Sequence, residues 1–472
     1  MKDFFLNPLF IKQLREEMRS RKIFFLVPVY IAILSSIAMV AVGSNSSTSF
    51  DPVSMSNNAR TTLFAFVIAV SILLGLIALI LGAASFTTER ERATYELLEL
   101  TPLTYTQLVL GKFLHAITII ALILFSSLPV FSTLFFMGGL TYMDLILPVF
   151  YLVIFFSVVI LGAICISIGS SRTLISIILS LILGFVAYVV LAIGGSDAFR
   201  EPASMGFAIL SPWLVCYRQI FAPISIKLLT LSVPVWIPYV IFYSLLALLL
   251  LSWGHNALDT RKLQRNSRAR ILGLLLLNLY AATGILCVNF YRPVSAKDME
   301  DIYQVLMMSL MATLPFFAIG VFTEQDEKLF GMKPLLQAFN FKNLFRNHPA
   351  TGPLFLIFLV LTISLNLILC TGVPARTVFG FMFVLLLWIF PWLLLFMAMR
   401  LSGLQARGII VSYVLGMLLL TLTSTFYHSG KSASSIFDFY LISPSLVLLY
   451  AVSLSFFAIA SLRARKRLRA LA

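Results

Sequence analysis

The sequence predicts an all-α integral membrane protein of about twelve transmembrane helices, arranged as two parallel six-helix halves. Three observations predict it. The 472 residues are 60% hydrophobic and 11% charged, where soluble domains carry about a quarter charged residues; the mean hydropathy is +1.01. Uncharged stretches of roughly 20 residues, long enough for a helix to cross about 30 Å of hydrocarbon, recur along the chain. The same succession of features also appears twice. Because lipid offers backbone groups no water to bond, the spans are expected to be helices, and the alternation of a membrane barrel is absent.

The apolar runs place helices near 23–43, 62–86, 114–136, 145–169, 172–194, 229–254, 270–291, 303–322, 353–374, 378–400, 408–426 and 438–461. Only Ser170, Ser171 and Arg172 separate the fourth run from the fifth. Before the first run, Asn7-Pro8 has the composition of an N-cap and first helical residue. Phe10, Leu14 and Met18 then repeat every four residues, with Lys12, Arg15, Glu16 and Arg19 on the other side. That pattern predicts an amphipathic helix in the membrane interface. The leader is long and carries Asp3, Glu16 and Glu17, unlike the short basic start of a cleaved signal peptide.

Phe86 to Lys112 is the densest charged segment between two spans, with four glutamates and three lysines or arginines. Such a cluster belongs outside lipid. Thr88 and Glu91 have capping-box spacing, Thr101-Pro102 ends a helix, and Thr104 and Gln107 repeat the capping spacing before the next span. On a helix starting at Thr88, Glu89, Arg92, Glu96 and Glu99 line one face, and Ala93, Leu97 and Leu100 the next. Composition leaves two readings open: an interfacial helix with its polar side in water, or a docking ridge for a soluble ATPase.

The repeat divides the chain into residues 1–254 and 255–472. Phe86-Thr87 after the second span is echoed by Phe322-Thr323 after the eighth, and the basic stretch His255–Ile271 echoes the leader. Six spans per half is an even number, so both halves enter the membrane from one side. The longest outer loop, Gly195 to Lys227, carries Pro202, Pro212, Trp213 and Pro223 among apolar residues and predicts a small cap or re-entrant hairpin.

The net charge of +15 is distributed as a membrane protein distributes it. With a cytoplasmic N-terminus and alternating spans, about 26 of the 34 lysines and arginines fall inside, including Arg463, Arg465, Lys466, Arg467 and Arg469. Both termini are therefore expected in the cytoplasm, with the basic tail against anionic lipid rather than nucleic acid. The four cysteines offer no pair on the oxidising side, so no disulfide is expected.

Catalytic chemistry is poorly supplied. His115, His255, His348 and His428 are scattered without metal-ligand spacing. Gly430-Lys431-Ser432 resembles the end of a phosphate loop, but Thr425 stands where the upstream glycine is required. No catalytic residue, metal site or cofactor is expected in this chain. Ionisable residues within spans, which ion-coupled carriers use, are nearly missing. Asn278, Asn289 and Asn366 are expected to bond between helices, and Pro129, Pro234, Pro238, Pro315 and Pro391 to kink spans.

The segment after the second span resembles that of the permease subunits of type-2 ABC exporters. These have an interfacial helix, six spans per unit, and a charged E-R-G-T-x-E-x-L-like coupling helix ending near a proline. Glu91, Arg92, Thr94, Glu96, Leu98 and Pro102 fit that pattern, and Ala208 to Ile220 fits the small outer helices before span six. Ala93 stands where such permeases often have glycine, a departure expected to matter little.

The resemblance implies that ABC ATPase subunits carrying ATP-Mg dock below the membrane and drive export. It implies a coupling role for Glu89, Glu91, Arg92, Thr94, Glu96, Leu97, Leu100 and Pro102, and for Glu324, Asp326, Glu327 and Pro334 in the second half, where the spacing is lost. The location implied is the plasma or inner membrane. Short outer loops and an apolar interior favour an amphipathic or lipid-like cargo. The alternative is a stand-alone twelve-span secondary carrier.

Overall fold

The computed structural model describes residues 8–19, 21–44, 52–96, 100, 103–133, 140–198, 212–213, 215–216, 225–228, 231–234, 236–258, 267–288, 355, 357–363 and 365. The eighth and the tenth to twelfth expected spans lie outside them. So does the second charged segment, with Glu324, Asp326, Glu327 and Pro334. The chain divides into two compact units, Met1–Thr260 and Arg261–Ala472.

In the first unit, α1 (Pro8–Arg19) is the amphipathic leader helix and begins at the expected proline. Leu9 is buried, Phe10 and Leu14 are half-buried, and Met18 is exposed beside Ile11 on the lipid-compatible side. The first expected span is occupied by α2 (Arg21–Ser44), which holds Pro28 as its eighth residue. Next comes α3 (Pro52–Glu91), a 40-residue helix. At 1.5 Å per residue it is about 60 Å long, twice the hydrocarbon thickness. It starts ten residues before the expected 62, at a proline suited to the first helical position.

The expected break after Phe86 does not occur. Thr87 and Thr88 stay helical because their hydroxyls donate to the carbonyls of Ala83 (3.0 Å) and Ala84 (2.6 Å), one turn back. The Thr88–Glu91 capping box is therefore not formed. The second box is. Thr104 caps α4 (Tyr105–Ser126), accepting from the Gln107 N–H at 3.3 Å while its own N–H donates to Gln107 Oε1 at 2.9 Å. After a break at Ser127, α5 (Leu128–Thr133) continues with Pro129 in its first turn.

Helix α6 (Tyr142–Gly169) opens on a Thr141–Asp144 box and contains Pro148. The three residues Ser170–Arg172 separate it from α7 (Thr173–Ala198), so the narrow gap in the sequence is a real turn. The last span of the unit, α8 (Trp236–Leu258), starts later than 229. The interval holds a two-stranded antiparallel ribbon, β1 (Ser225–Leu228) and β2 (Leu231–Pro234), with Ile226 opposite Val233 and Lys227 opposite Ser232. Apolar and polar residues alternate there with period two, which suits a strand and not a span. Pro234 thus ends a strand, and Pro238 sits in the first turn of α8.

Helices α3, α4, α6 and α8 are long and apolar enough to cross a membrane; shorter apolar stretches occupy Phe25–Ile37 of α2 and Thr173–Phe185 of α7. The core forms where α3 meets α6. Ala59, Leu63, Val67, Val70, Leu74 and Ala78 form a fully buried stripe at three- and four-residue spacing, and Leu152, Phe156, Ile160 and Ile164 do the same on α6. The helices approach closely at Gly82, where an added Cβ would stand 2.6 Å from the Ala163 Cβ and 2.9 Å from the Ile160 carbonyl oxygen. Phe25, Val29, Met39 and Val40 of α2, and Leu174, Ile178 and Phe185 of α7, remain exposed as lipid contacts would require.

At one end of this bundle the contacts are aromatic. Trp213, Val215 and Cys216, which follow α7 in the sequence, are buried, and Trp213 Nε1 donates to Ser71 Oγ. The Trp213 ring lies 4.4 Å from Tyr188 and 6.0 Å from Phe155. Beside it Tyr239 donates its hydroxyl to the Tyr151 carbonyl at 3.0 Å and packs 4.5 Å from Tyr243.

In the second unit, α9 (Ser267–Val288) occupies most of the seventh expected span. Asn278 donates to the Leu274 carbonyl (2.8 Å) and to Thr362 Oγ1 (3.2 Å), bonding between helices as expected. Asn289 and Asn366 lie outside the described residues. Arg270 is buried with its guanidinium 5.6 Å from the Phe355 ring.

Candidate functional site: a braced charged tip

The opposite end of the first unit is built from charge. Helix α3 ends at Glu91 in a turn whose bonding follows from its last residues. The Ala93 N–H donates to the Arg90 carbonyl at 3.1 Å and the Thr94 N–H to the Glu89 carbonyl at 3.0 Å. This is the Schellman arrangement, which needs a left-handed residue at its centre. Ala93 takes that place at φ 55°. Glycine adopts it freely, whereas alanine is strained there by roughly 1–2 kcal/mol. The departure expected to matter little is thus where the turn stores strain.

The turn also corrects the expected ridge. Since α3 stops at Glu91, residues Glu89, Arg92 and Glu96 do not share one helical face. Glu91, Arg92, Ala93, Thr94 and Glu96 are exposed, and Leu100, whose N–H donates to the Glu96 carbonyl at 3.3 Å, is 83% exposed. Leu97, Leu98, Glu99 and Pro102 lie outside the described residues.

Glu89 faces inward. Its carboxylate pairs with Lys112 at 2.7 Å, the lysine being 1% exposed. Lys112 also donates to the Ser85 carbonyl at 2.6 Å and sits 4.7 Å from the centre of the Phe86 ring. An ammonium so deeply placed is tolerable only with its charge paired and its protons bonded. Gln13 of α1 donates to the same carboxylate at 3.4 Å, tying the leader helix to the tip.

Two further residues fix the tip to the α6–α7 turn. Arg90 Nη1 donates to the Ile168 and Ser170 carbonyls, both at 2.8 Å, and its guanidinium stacks 5.0 Å from the Tyr95 ring. Glu91 accepts the Thr173 N–H at 2.7 Å, so a carboxylate from α3 caps α7. One turn deeper, Ser167 Oγ accepts from the Phe86 and Thr87 N–H groups (3.0 and 3.2 Å), and Ser176 Oγ donates to the Ala83 carbonyl (2.9 Å). On the far side of α4, Thr106 is 2.9 Å from His255 Nδ1.

The arrangement is an exposed, partly apolar tip on a rod held from three sides. Sequence reasoning missed Gln13, Arg90, Lys112, Ser167 and Ser176, which supply the braces. Lys112 carried a signal: a lone lysine at the eighth residue of a span demands a buried partner. Among the described residues, no cluster of histidine, cysteine, aspartate or glutamate could hold a metal ion.

Residues 8–234, from α1 through β2, match the family model described as ABC-2 family transporter protein. No curated protein matches the chain.

Proposed function

We propose that this chain, whose residues 8–234 match the model described as ABC-2 family transporter protein, is a type-2 ABC transporter permease, the multi-pass transmembrane subunit of an ATP-driven exporter. Permeases of this family generally work with separate ATP-binding subunits. In this reading those subunits bind ATP-Mg and dock on Arg92–Leu100, while the braces, Glu91 among them, pass their motion to the spans. One observation carries it: Leu100 stands 83% exposed, nine residues past the end of the tightly anchored α3. An apolar side chain in that position suits a protein partner better than water.

Both termini lie in the cytoplasm in this reading, supported by the inward bias of lysine and arginine. Thiol labelling of Thr94→Cys and Ala464→Cys from inside, and of Ser47→Cys and Ser432→Cys from outside, tests the orientation. The cargo is amphipathic or lipid-like, in keeping with short outer loops and an apolar interior.

The docking test is co-purification with a co-expressed ATPase subunit. Glu96→Lys, Leu97→Asp and Leu100→Asp are expected to release it without lowering the yield of folded permease. Full capture by all three sinks the docking role. Cargo movement in vesicles driven by an ion gradient without nucleotide would favour the secondary carrier instead.

A further inference from the structure

We propose that the α6–α7 turn is the receiving element of the tip, and that Arg90 and Glu91 are the positioning residues that move α6 and α7 with α3. The inference rests on the docking role of the tip and adds the route by which its motion leaves.

A helix C-terminus presents unpaired carbonyls and partial negative charge; a helix N-terminus presents unpaired amides and partial positive charge. The turn sets one of each side by side, the end of α6 at Ile168–Ser170 and the start of α7 at Thr173. Consecutive residues of α3 answer them in matching order. The Arg90 cation takes the two carbonyls at 2.8 Å, and the Glu91 anion takes the Thr173 amide at 2.7 Å. Reversing the order of the two charges would set like against like at both ends.

The connection is also the shortest available. Only Ser170–Arg172 lie between the helices, so a displacement of this turn reaches both at once. The hydroxyls of Ser167 and Ser176 bond α3 backbone one turn deeper on either side, at 2.9 to 3.2 Å, so the turn cannot pivot freely about the arginine. Exposed Glu91 contributes nothing to the buried core, which makes its bond to α7 a directed contact and not a by-product of packing.

The test uses the full-length permease with its ATPase subunits in lipid vesicles and a spin label at Ile178→Cys on the exposed side of α7, read with ATP and vanadate. The unmodified pair is expected to give a nucleotide-dependent change at the label. Arg90→Gln, Glu91→Ala and the swap Arg90→Glu/Glu91→Arg are expected to cut that change at least about fivefold, the loss of one or two charge-assisted bonds, with ATPase capture unaltered. Glu91→Gln, which keeps an acceptor for the Thr173 amide, is expected to retain most of it.

An undiminished label response in Glu91→Ala and the swap overturns the proposal. So does loss of ATPase capture in step with the response, since the residues would then belong to the docking surface. Because Glu91 is exposed, Glu91→Ala carries the test even where Arg90→Gln fails to fold. Failure of the docking role registers separately, as full capture by Leu100→Asp.

Discussion

The two ends of the first bundle are held together by different physics. Ser71 and Glu89 lie on the same helix 18 residues apart, about 27 Å along its axis. Around Ser71 the contacts are rings and buried area: Trp213 against Tyr188 and Phe155, Tyr239 against Tyr151 and Tyr243. Around Glu89 they are directional bonds to charged groups: Lys112 to Glu89, Arg90 to two carbonyls, Glu91 to an amide. Packed rings resist displacement gradually and in every direction. Charge-assisted bonds hold one geometry and fail abruptly outside it. The aromatic end is built to stay closed, and the charged end to transmit a defined geometry to whatever touches it.

The largest expected effect tests whether the charged end depends on pairing. Lys112→Ala leaves the half-buried Glu89 carboxylate without its cation and is expected to cost about 3–5 kcal/mol, read as a fall in the thermal midpoint of the detergent-solubilised protein. Replacing both partners, Lys112→Leu with Glu89→Leu, should recover most of that loss. An equal loss in the double variant would show that Ser85 and Phe86, not Glu89, are what the lysine serves. At the aromatic end, Trp213→Ala is expected to cost about 3 kcal/mol of stability through the cavity it leaves. ATPase capture by the folded fraction should be unchanged. Reduced capture would break the division of labour between the ends.

The smallest effect has the opposite sign. Ala93→Gly relieves the left-handed strain at the turn and is expected to stabilise the charged end by up to about 1 kcal/mol, partly offset by the greater freedom of glycine in the unfolded chain. Hydrogen exchange of the Thr94 amide, which bonds the Glu89 carbonyl, should slow. Faster exchange there would mean that the alanine is not strained.

These residues also mark what could be read in advance. The first seven apolar runs each contain a helix, because apolar length alone specifies a span once lipid is the solvent. The Thr104–Gln107 cap was legible because the chain around it leaves the membrane. The Thr88–Glu91 pair has the same spacing and no cap, since a threonine hydroxyl can equally bond the carbonyl one turn back inside a helix. Pro28 and Pro148, the eighth and seventh residues of their helices, lie beyond the first turn without ending them, because in a membrane helix neighbouring groups take up the freed carbonyls, so proline was a poor guide to breaks. The braces were not legible at all. Trp213 meets Ser71 across 142 residues and Gln13 meets Glu89 across 76, distances over which no periodicity speaks.

The close contact of α3 with α6 at Gly82 divides the 40-residue rod unequally. Nine residues, about 14 Å, lie between Gly82 and Glu91, and thirty residues, about 45 Å, between Gly82 and Pro52. The stripe from Ala59 to Ala78 is buried along the long arm, and Arg90 and Glu91 bind the α6–α7 turn on the short one, so the rod has no room to pivot there. A push at Glu91 is then delivered undiminished along about 60 Å, with α3 and α6 moving as one piston rod and not as a lever.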